Sequence, residues 1–399
     1  MSDKIVYLDN NSTTKAAPEV VDVMKQYFLC DYGNSESTHA FGSNLQYVEQ
    51  GARESLARLI NGRPKNIYFT SGATESNNWV LRGVMKHSDK RHLVISAVEH
   101  PSVLNVAQYL EKEGYRVTYL PVTDQGVVRL EDLMTAATDE TALVSVMYAN
   151  NETGAIMPIR EIGEYLRDKS IIFHTDATQA VGKIHVDVKR DNIDLLSFSG
   201  HKFHGPKGVG GLYFPLKKYV SGKLVRMQIA QFMIGGEQQG FMRAGTMNTP
   251  GIAGLGKAAD LAYEHLSEHL VAGEDTGVSS KRDDLQEFIE ENIPKTMINA
   301  KNAPRLPNTL NLTFPGAEGE SIIDRLSEKG ICVSSGSACT SKSLAIPYVL
   351  DAMGINHDII NSTIRFSLSR YNTTEELKYV RQVLPKVIED LRLISGFKE

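Results

Sequence analysis

The stretch Asp194-Leu195-Leu196-Ser197-Phe198-Ser199-Gly200-His201-Lys202-Phe203-His204-Gly205-Pro206-Lys207-Gly208 passes from an apolar run into a turn crowded with hydroxyl, imidazole and amine groups. Such a run reads as a buried strand, and polar groups gathered just past it read as a site at the carboxyl edge of an open sheet. Working outward, β-rich runs at 67–70, 92–96, 116–120, 143–148, 171–175 and 195–199 alternate with helical spacing at 74–85, 103–113 and 159–169. That alternation predicts βα units wound into a mostly parallel sheet. Pro18 marks the first turn of a further helix over 19–29. The last third changes character, with helices expected over 280–291 and 374–394 and short strands over 308–314 and 363–368. It predicts a smaller α+β unit, and residues 271–280, rich in Gly, Ser and acid, predict a flexible connection.

A chain of 399 residues, 41% hydrophobic and 23% charged, can bury a sizeable core and lacks the bias of disordered segments. Its net charge of -5 supplies no basic field to attract a phosphate backbone or an anionic membrane, so neither nucleic acid nor a membrane is expected as a partner. The three cysteines, Cys30, Cys332 and Cys339, are odd in number and far apart, which argues against a disulfide framework and against a resident metal site. A reducing cytoplasm fits that usage. The start of the sequence has no apolar run of signal-peptide length, and no later segment approaches the roughly 20 apolar residues of a membrane span.

Lys202, placed past a strand end, can form an imine with an aldehyde cofactor if its amine is partly neutral, and a low-polarity pocket with nearby cations pushes it that way. A pyridoxal cofactor also needs a carboxylate against its pyridinium nitrogen, so that the ring acts as an electron sink. In Phe173-His174-Thr175-Asp176-Ala177-Thr178-Gln179, Asp176 follows the apolar run directly and Gln179 is placed to bond the ring hydroxyl. Alone, an Asp after a strand is more often a helix cap; paired with a lysine at another strand end it reads as function. The run Thr70-Ser71-Gly72-Ala73-Thr74-Glu75-Ser76-Asn77 is a strand, a small-residue turn and a helix start, where free N–H groups from Ala73 and Thr74 onward converge on an anion such as the cofactor phosphate. Ser199 and His201 can add side-chain donors opposite, and His100, after another strand, can stack on a flat ring.

Together these pieces resemble the NifS/IscS-type cysteine desulfurases, fold-type I, aspartate aminotransferase-like pyridoxal-phosphate transferases of the class V aminotransferase family. The resemblance runs through Tyr7-Leu8-Asp9-Asn10-Asn11-Ser12-Thr13-Thr14, Tyr32-Gly33-Asn34-Ser35, the 70–78 run, Ala149-Asn150-Asn151-Glu152-Thr153-Gly154 and Ser199-Gly200-His201-Lys202. It continues in Arg243-Ala244-Gly245-Thr246, Ser334-Ser335-Gly336-Ser337-Ala338-Cys339-Thr340-Ser341 and Ile364-Arg365-Phe366-Ser367. It implies an α/β fold: a large cofactor-binding domain over 15–260 with a mostly parallel seven-stranded sheet, and a small α+β domain formed by 1–14 and 261–399 that carries the cysteine loop. Lys202 would be the Schiff-base lysine, Asp176 the pyridinium partner, Gln179 the ring-hydroxyl partner and His100 the stacking residue and proton shuttle. Thr74, Ser199 and His201 would hold the phosphate, with Thr246 reaching it from the other subunit of a homodimer, and Asn151 and Ala73 completing the cofactor site. Arg365, helped by Asn151 and Asn34, would bind the carboxylate of L-cysteine.

Cys339 turns this general reading into a sulfur-transfer reading. Small residues surround it, as suits a thiol that must meet substrate and then carry a persulfide to an iron-sulfur scaffold or other acceptor protein. No resident metal is implied, Cys339 alone being suited to ligate a cluster in passing. Cys332, in Gly330-Ile331-Cys332-Val333, and Cys30, at a helix end, read instead as buried and inert. The sequence has Ser12, Ser35 and His204 where the family more often shows alanine, proline and tyrosine, and the extended loop after Cys339 sides with NifS/IscS rather than SufS. Selenocysteine lysis, transamination and a non-catalytic assembly role are the competing expectations.

Overall fold

The computed structural model describes residues 5–271, 274–335 and 347–395. Seven strands form the main sheet: β1 (Ile67–Thr70), β2 (His92–Ser96), β3 (Arg116–Leu120), β4 (Thr141–Ser145), β5 (Ile172–Asp176), β6 (Leu195–Ser199) and β7 (Gly210–Tyr213), in the order β1-β7-β6-β5-β4-β2-β3. Pairings from β6 through β3 are parallel, while β7 runs antiparallel to both β1 and β6. β1 therefore points the same way as the other five, and six carboxyl ends share one edge.

The strands are apolar throughout because both faces are covered. Alternate residues feed two separate clusters: Ile67, Phe69, Val94, Val144 and Leu196 pack on one side, Tyr68, Leu93, Ile95, Leu143 and Leu195 on the other. Helices α1 (Pro18–Leu29), α2 (Leu45–Leu59) and α3 (Ala73–His87) precede α4 (Pro101–Lys112) and the long α5 (Thr249–His269). α5 fits against α2 so closely that a Cβ on Gly256 would come within 2.9 Å of the Ala52 backbone.

A third cluster lies in the terminal parts of the chain. It gathers Leu285 and Ile289 from α6 (Thr276–Asn292), Ile322 from α7 (Gly319–Glu328) and Val380 and Leu384 from α8 (Thr374–Ser395), together with Val6 and Leu8 from the amino-terminal end. These residues cover an antiparallel sheet, β8 (Met297–Ile298), β9 (Thr309–Thr313) and β10 (Thr363–Ser367). A short strand Val6–Tyr7 pairs in parallel with Ile331–Cys332, stitching the start of the chain to its last third.

Several expectations shift. β4 begins at Thr141, and beyond Ser145 the chain stays beside β5 through single bonds from Val146 N to His174 O and Tyr148 N to Asp176 O. In the segment expected to be a flexible connection, Leu270–Val271 pairs antiparallel with Glu274–Asp275 and α6 begins at Thr276, while residues 272 and 273 lie outside the described residues. Cys30 is exposed rather than buried, because α1 buries only Val20 and its far end, with Phe28 and Leu29, runs out past the core. Cys332 is half-buried at a strand end. Among the described residues no helix is long and apolar enough to cross a membrane, and no cluster of ligands could hold a metal ion.

Candidate active site

The carboxyl ends of β1, β2, β4, β5 and β6, roofed by β10 and residues 11–12, enclose a cavity of about 250 Å³. β5 delivers Asp176 as its last residue, buried, with Oδ1 accepting the Thr178 N–H at 2.9 Å and Oδ2 accepting Asn77 Nδ2 at 2.7 Å. Two residues back on the same strand face, His174 is fully buried between Ser145 Oγ at 2.8 Å and Ser197 Oγ at 3.0 Å. Burial pushes its imidazole down to about 4 against the upward pull of Asp176, so it stays neutral beneath the carboxylate.

β6 ends at Ser199, and one turn of 3-10 helix, Gly200–Lys202, carries Lys202 to the cavity wall. Its Nζ donates to the carbonyls of Asn11 at 2.6 Å and Ser12 at 2.9 Å. Ser199 Oγ accepts the N–H of Ala73, the first residue of α3, at 2.7 Å. His201 Nδ1 lies 3.0 Å from Thr13 Oγ1; burial first, then Lys202, Lys207 and Lys183, hold this ring at about 4.

The β1 to α3 turn depends on Gly72, whose φ of +152° is a conformation that side-chain-bearing residues rarely adopt. It opens the start of α3, and Ala73 and Thr74 line the cavity there. Glu75 ties this turn down, accepting the Ser71 N–H at 2.8 Å and Arg243 through Nε at 2.8 Å and Nη2 at 3.1 Å. Burial would raise its carboxyl, but the Arg243 and Ser71 bonds outweigh burial and hold it below the ordinary value.

His100 follows β2 and caps α4, its Nδ1 accepting the Ser102 N–H at 3.1 Å with Ser102 Oγ at 2.8 Å. Burial lowers its pKa; Asp176 opposes this and Lys202 adds to it. From β10, Arg365 reaches the cavity 2% exposed, donating through Nη1 to Asn151 O at 2.9 Å and through Nη2 to Asp9 Oδ1 at 2.7 Å and Ser12 Oγ at 2.8 Å. Gln179 donates to Asn11 O at 3.0 Å and accepts Lys183 Nζ at 2.6 Å.

The cavity thus brings together Ala73, Thr74, His100, Asn151, Asp176, Gln179, Ser199, His201, Lys202 and Arg365 from the sequence-derived set. Thr246 and Asn34 are exposed and do not line it, Asn34 Oδ1 accepting the Glu36 N–H at 3.0 Å. Cys339 lies outside the described residues.

Sequence reasoning passed over four groups. Asn11 accepts Lys202 and Gln179 on its carbonyl and Lys183 on Oδ1 at 2.9 Å, and donates from Nδ2 to Thr309 Oγ1 at 2.8 Å. Lys183 is buried, and desolvation, Lys202 and Arg365 push its amine well below the usual value. Asn77 and Ser102 join His100 to Asp176. Asn11 and Asn77 stand in the quoted 7–14 and 70–77 runs, which gave neither of them a role; Ser102, in the first turn of α4, and Lys183, in a turn after β5, gave no signal.

A doubly covered sheet of this order, with a lysine and a carboxylate meeting at its carboxyl edge, is the architecture of fold-type I pyridoxal-phosphate transferases. The model of the aminotransferase class-V family matches residues 6–380. A protein of Trichormus azollae called cysteine desulfurase is 45% identical over 395 residues, covering 99% of this chain and 95% of its own. Another, from Clostridium botulinum and called cysteine desulfurase IscS, is 44% identical over 401 residues, covering 100% and 98%. Among solved structures, a NifS-like protein superimposes with a TM-score of 0.85 at 35% identity, covering 99% of this chain and 100% of its own. The chain belongs to the class-V aminotransferase family, which is pyridoxal-phosphate-dependent in general, and within it to the NifS/IscS-type cysteine desulfurases.

Proposed function

We propose that this chain binds pyridoxal 5'-phosphate in the cavity, converts L-cysteine to L-alanine, and passes the sulfur as a persulfide on Cys339 to an acceptor, an iron-sulfur scaffold among the candidates. The observation that carries the reading is the convergence of Lys202 and buried Asp176 on one cavity beside the glycine-opened start of α3. The donor set fits the cofactor: backbone N–H groups and hydroxyls for a phosphate, a carboxylate for a ring nitrogen, an amine for an aldehyde, and a buried Asn151 Oδ1 with no bond among the described residues.

Once bound, pyridoxal phosphate supplies an electron sink for charge that develops at the substrate's Cα. Thr74, Ser199 and His201 would hold the phosphate, with Ala73 supplying backbone and Gln179 meeting the ring hydroxyl. Asp176 would keep the proton on the ring nitrogen. Lys202 would hold the aldehyde and, once displaced by substrate, move the Cα proton through Nζ. Arg365 would exchange Asp9 for the substrate carboxylate, assisted by Asn151 and Asn34, and His100 would lie against the ring.

The division into a large domain over 15–260 and a small one over 1–14 and 261–399 is supported by the separate core that Val6 and Leu8 share with the chain's last third. A homodimer is supported by the outward-facing Phe28, Leu29, Tyr32, Phe41 and Ile234, and by Thr246, which is exposed and outside the cavity of its own chain. The free thiols of Cys30 and Cys332 suit a reducing, cytoplasmic setting.

Persulfide mapping by mass spectrometry after incubation with L-cysteine tests substrate, nucleophile and product together. The added sulfur is expected on Cys339, and Cys339→Ser is expected to keep the cofactor's absorbance while losing sulfide release at least a hundredfold, roughly the worth of a nucleophile. Desulfuration at the normal rate by that variant, or alanine release from selenocysteine alone, would overturn the reading.

A further inference from the structure

Four side chains form one continuous chain of bonds along the cavity wall: His100 on the cap of α4, Ser102 in its first turn, Asn77 on α3 and Asp176 at the end of β5. Every donor and acceptor in it can be assigned. A carboxylate only accepts, so the Asn77 atom 2.7 Å from Asp176 Oδ2 is the amide nitrogen. The same Nδ2 lies 2.9 Å from Ser102 Oγ, and its second hydrogen goes there. Ser102 Oγ lies 2.8 Å from His100 Nδ1 and donates its own hydrogen there once Nδ1 is an acceptor. The Ser102 backbone N–H, which can only donate, reaches the same Nδ1 at 3.1 Å.

Two donors therefore converge on Nδ1, and no proton fits between them. Asn77 Oδ1 is buried with no hydrogen-bond partner among the described residues. A flipped amide would set that oxygen against the carboxylate at 2.7 Å, so the orphaned acceptor is the cost of keeping both donations.

We infer that Asn77 and Ser102 are positioning residues that fix His100 as its Nε2–H tautomer, so that His100 meets the cavity as a hydrogen-bond donor and not as a base. The consequence deepens the proposed desulfurase chemistry and rests on that reading for the reaction it serves. With Nδ1 spoken for, removal of the substrate's Cα proton falls to Lys202, and His100 offers a fixed N–H to whatever oxygen, nitrogen or sulfur lies beside it. The charged groups facing the ring are Asp176 from β5 and Lys202 from the turn after β6. Glu99, its chain neighbour, is engaged elsewhere, with Ser96 Oγ and Met147 N.

The test is long-range proton–nitrogen NMR of the holoenzyme labelled with 15N-histidine, the His100 signals being identified by their loss in His100→Gln. At neutral pH the wild type is expected to show Nδ1 unprotonated and Nε2 protonated. Ser102→Ala, which leaves the backbone N–H as the one donor, is expected to keep Nδ1 unprotonated, to shift its 15N resonance, and to raise the His100 titration midpoint by about half to one pH unit. Asn77→Leu, which frees the serine hydroxyl to turn away, shifts both in the same direction, and Ser102→Thr restores the wild-type pattern. A protonated Nδ1 in the wild type, or a Ser102→Ala spectrum and titration identical to wild type, overturns the inference without requiring that any variant be active. The signal needs no turnover. An Nε2–H ring in a protein that releases no sulfur would sink the desulfurase reading alone; a sulfur-releasing protein with Nδ1–H would sink this one alone.

Discussion

Glu99 sits next to His100 in the chain but faces the other way, fully buried, with Oε1 accepting Ser96 Oγ at 2.6 Å and Met147 N at 2.7 Å while Oε2 has no hydrogen-bond partner among the described residues. Burial dominates those bonds and lifts its carboxyl to about 8, so in the folded protein it is neutral at pH 7. A folded-state pKa raised above the unfolded one contributes stability that is complete below the unfolded pKa and lost as pH climbs through the folded one. Glu99→Gln keeps the accepting oxygen and cannot ionise. Its melting temperature relative to wild type is therefore expected to rise on the order of 2–4 °C between pH 6 and pH 9, read by calorimetry at matched ionic strength. A constant difference across that range would mean that Glu99 is already ionised at pH 6. At this scale the sequence was legible where chemistry forces an unusual placement. Lys202 and Asp176 stand out because charged groups at the ends of apolar strands demand a reason. Asn77, Ser102 and Lys183 sit at ordinary positions in helices and turns, and only the fold reveals that they meet.

At the level of elements, the start of α3 is held by an ion pair that arrives from far along the chain. Arg243 grips both oxygens of Glu75, the second of which also accepts the Ser71 N–H, so the turn that opens the proposed phosphate site is clamped to the segment bearing Thr246. Bidentate geometry and partial burial make this pair worth more than an exposed one. Arg243→Leu leaves Glu75 without its cation and is expected to weaken cofactor retention about tenfold, followed by the loss of visible absorbance on dialysis. Arg243→Lys, a point charge without the fork, is expected to fall between. Unchanged retention in the leucine variant would show that the turn holds its shape by Gly72 alone. The alternation of β-rich and helical runs exposed six strands of the sheet but hid β7, whose glycines are poor strand formers. They are required because a Cβ on Gly210 would come within 2.4 Å of the Phe198 carbonyl and one on Gly211 within 2.4 Å of the Phe198 ring. A strand shaped by its neighbour's bulk carries no propensity signal of its own. The end of α1 misled in another way: Cys30, expected there to be buried, is exposed, as are Phe28 and Leu29.

For the whole molecule, those outward residues matter together. Phe28, Leu29, Tyr32, Phe41 and Ile234 are all exposed; Tyr32 and Phe41 meet edge to face at 5.2 Å, and a bond from Gln238 Nε2 to Glu36 Oε2 at 3.1 Å brings the 234–241 segment alongside. Exposed large apolar groups so gathered mark an interaction surface. The same segment leads through Arg243 to Thr246, so a second copy seated there would carry its own Thr246 toward this chain's α3, and sequence alone shows such an arrangement only through the resemblance it carries. Substituting Phe28→Asp together with Leu29→Asp alters side chains that the core does not use, so the fold is expected to survive. Sedimentation should shift from about twice the chain mass toward the monomer, and the cofactor should dissociate at least tenfold faster, since a phosphate held from one side loses the opposing donor. Thr246→Ala should leave the dimer intact while speeding cofactor loss in the same direction. A wild type that sediments as a monomer would remove the dimer, whereas a monomeric variant that keeps its cofactor as tightly as wild type would show that each chain completes the phosphate site from its own residues.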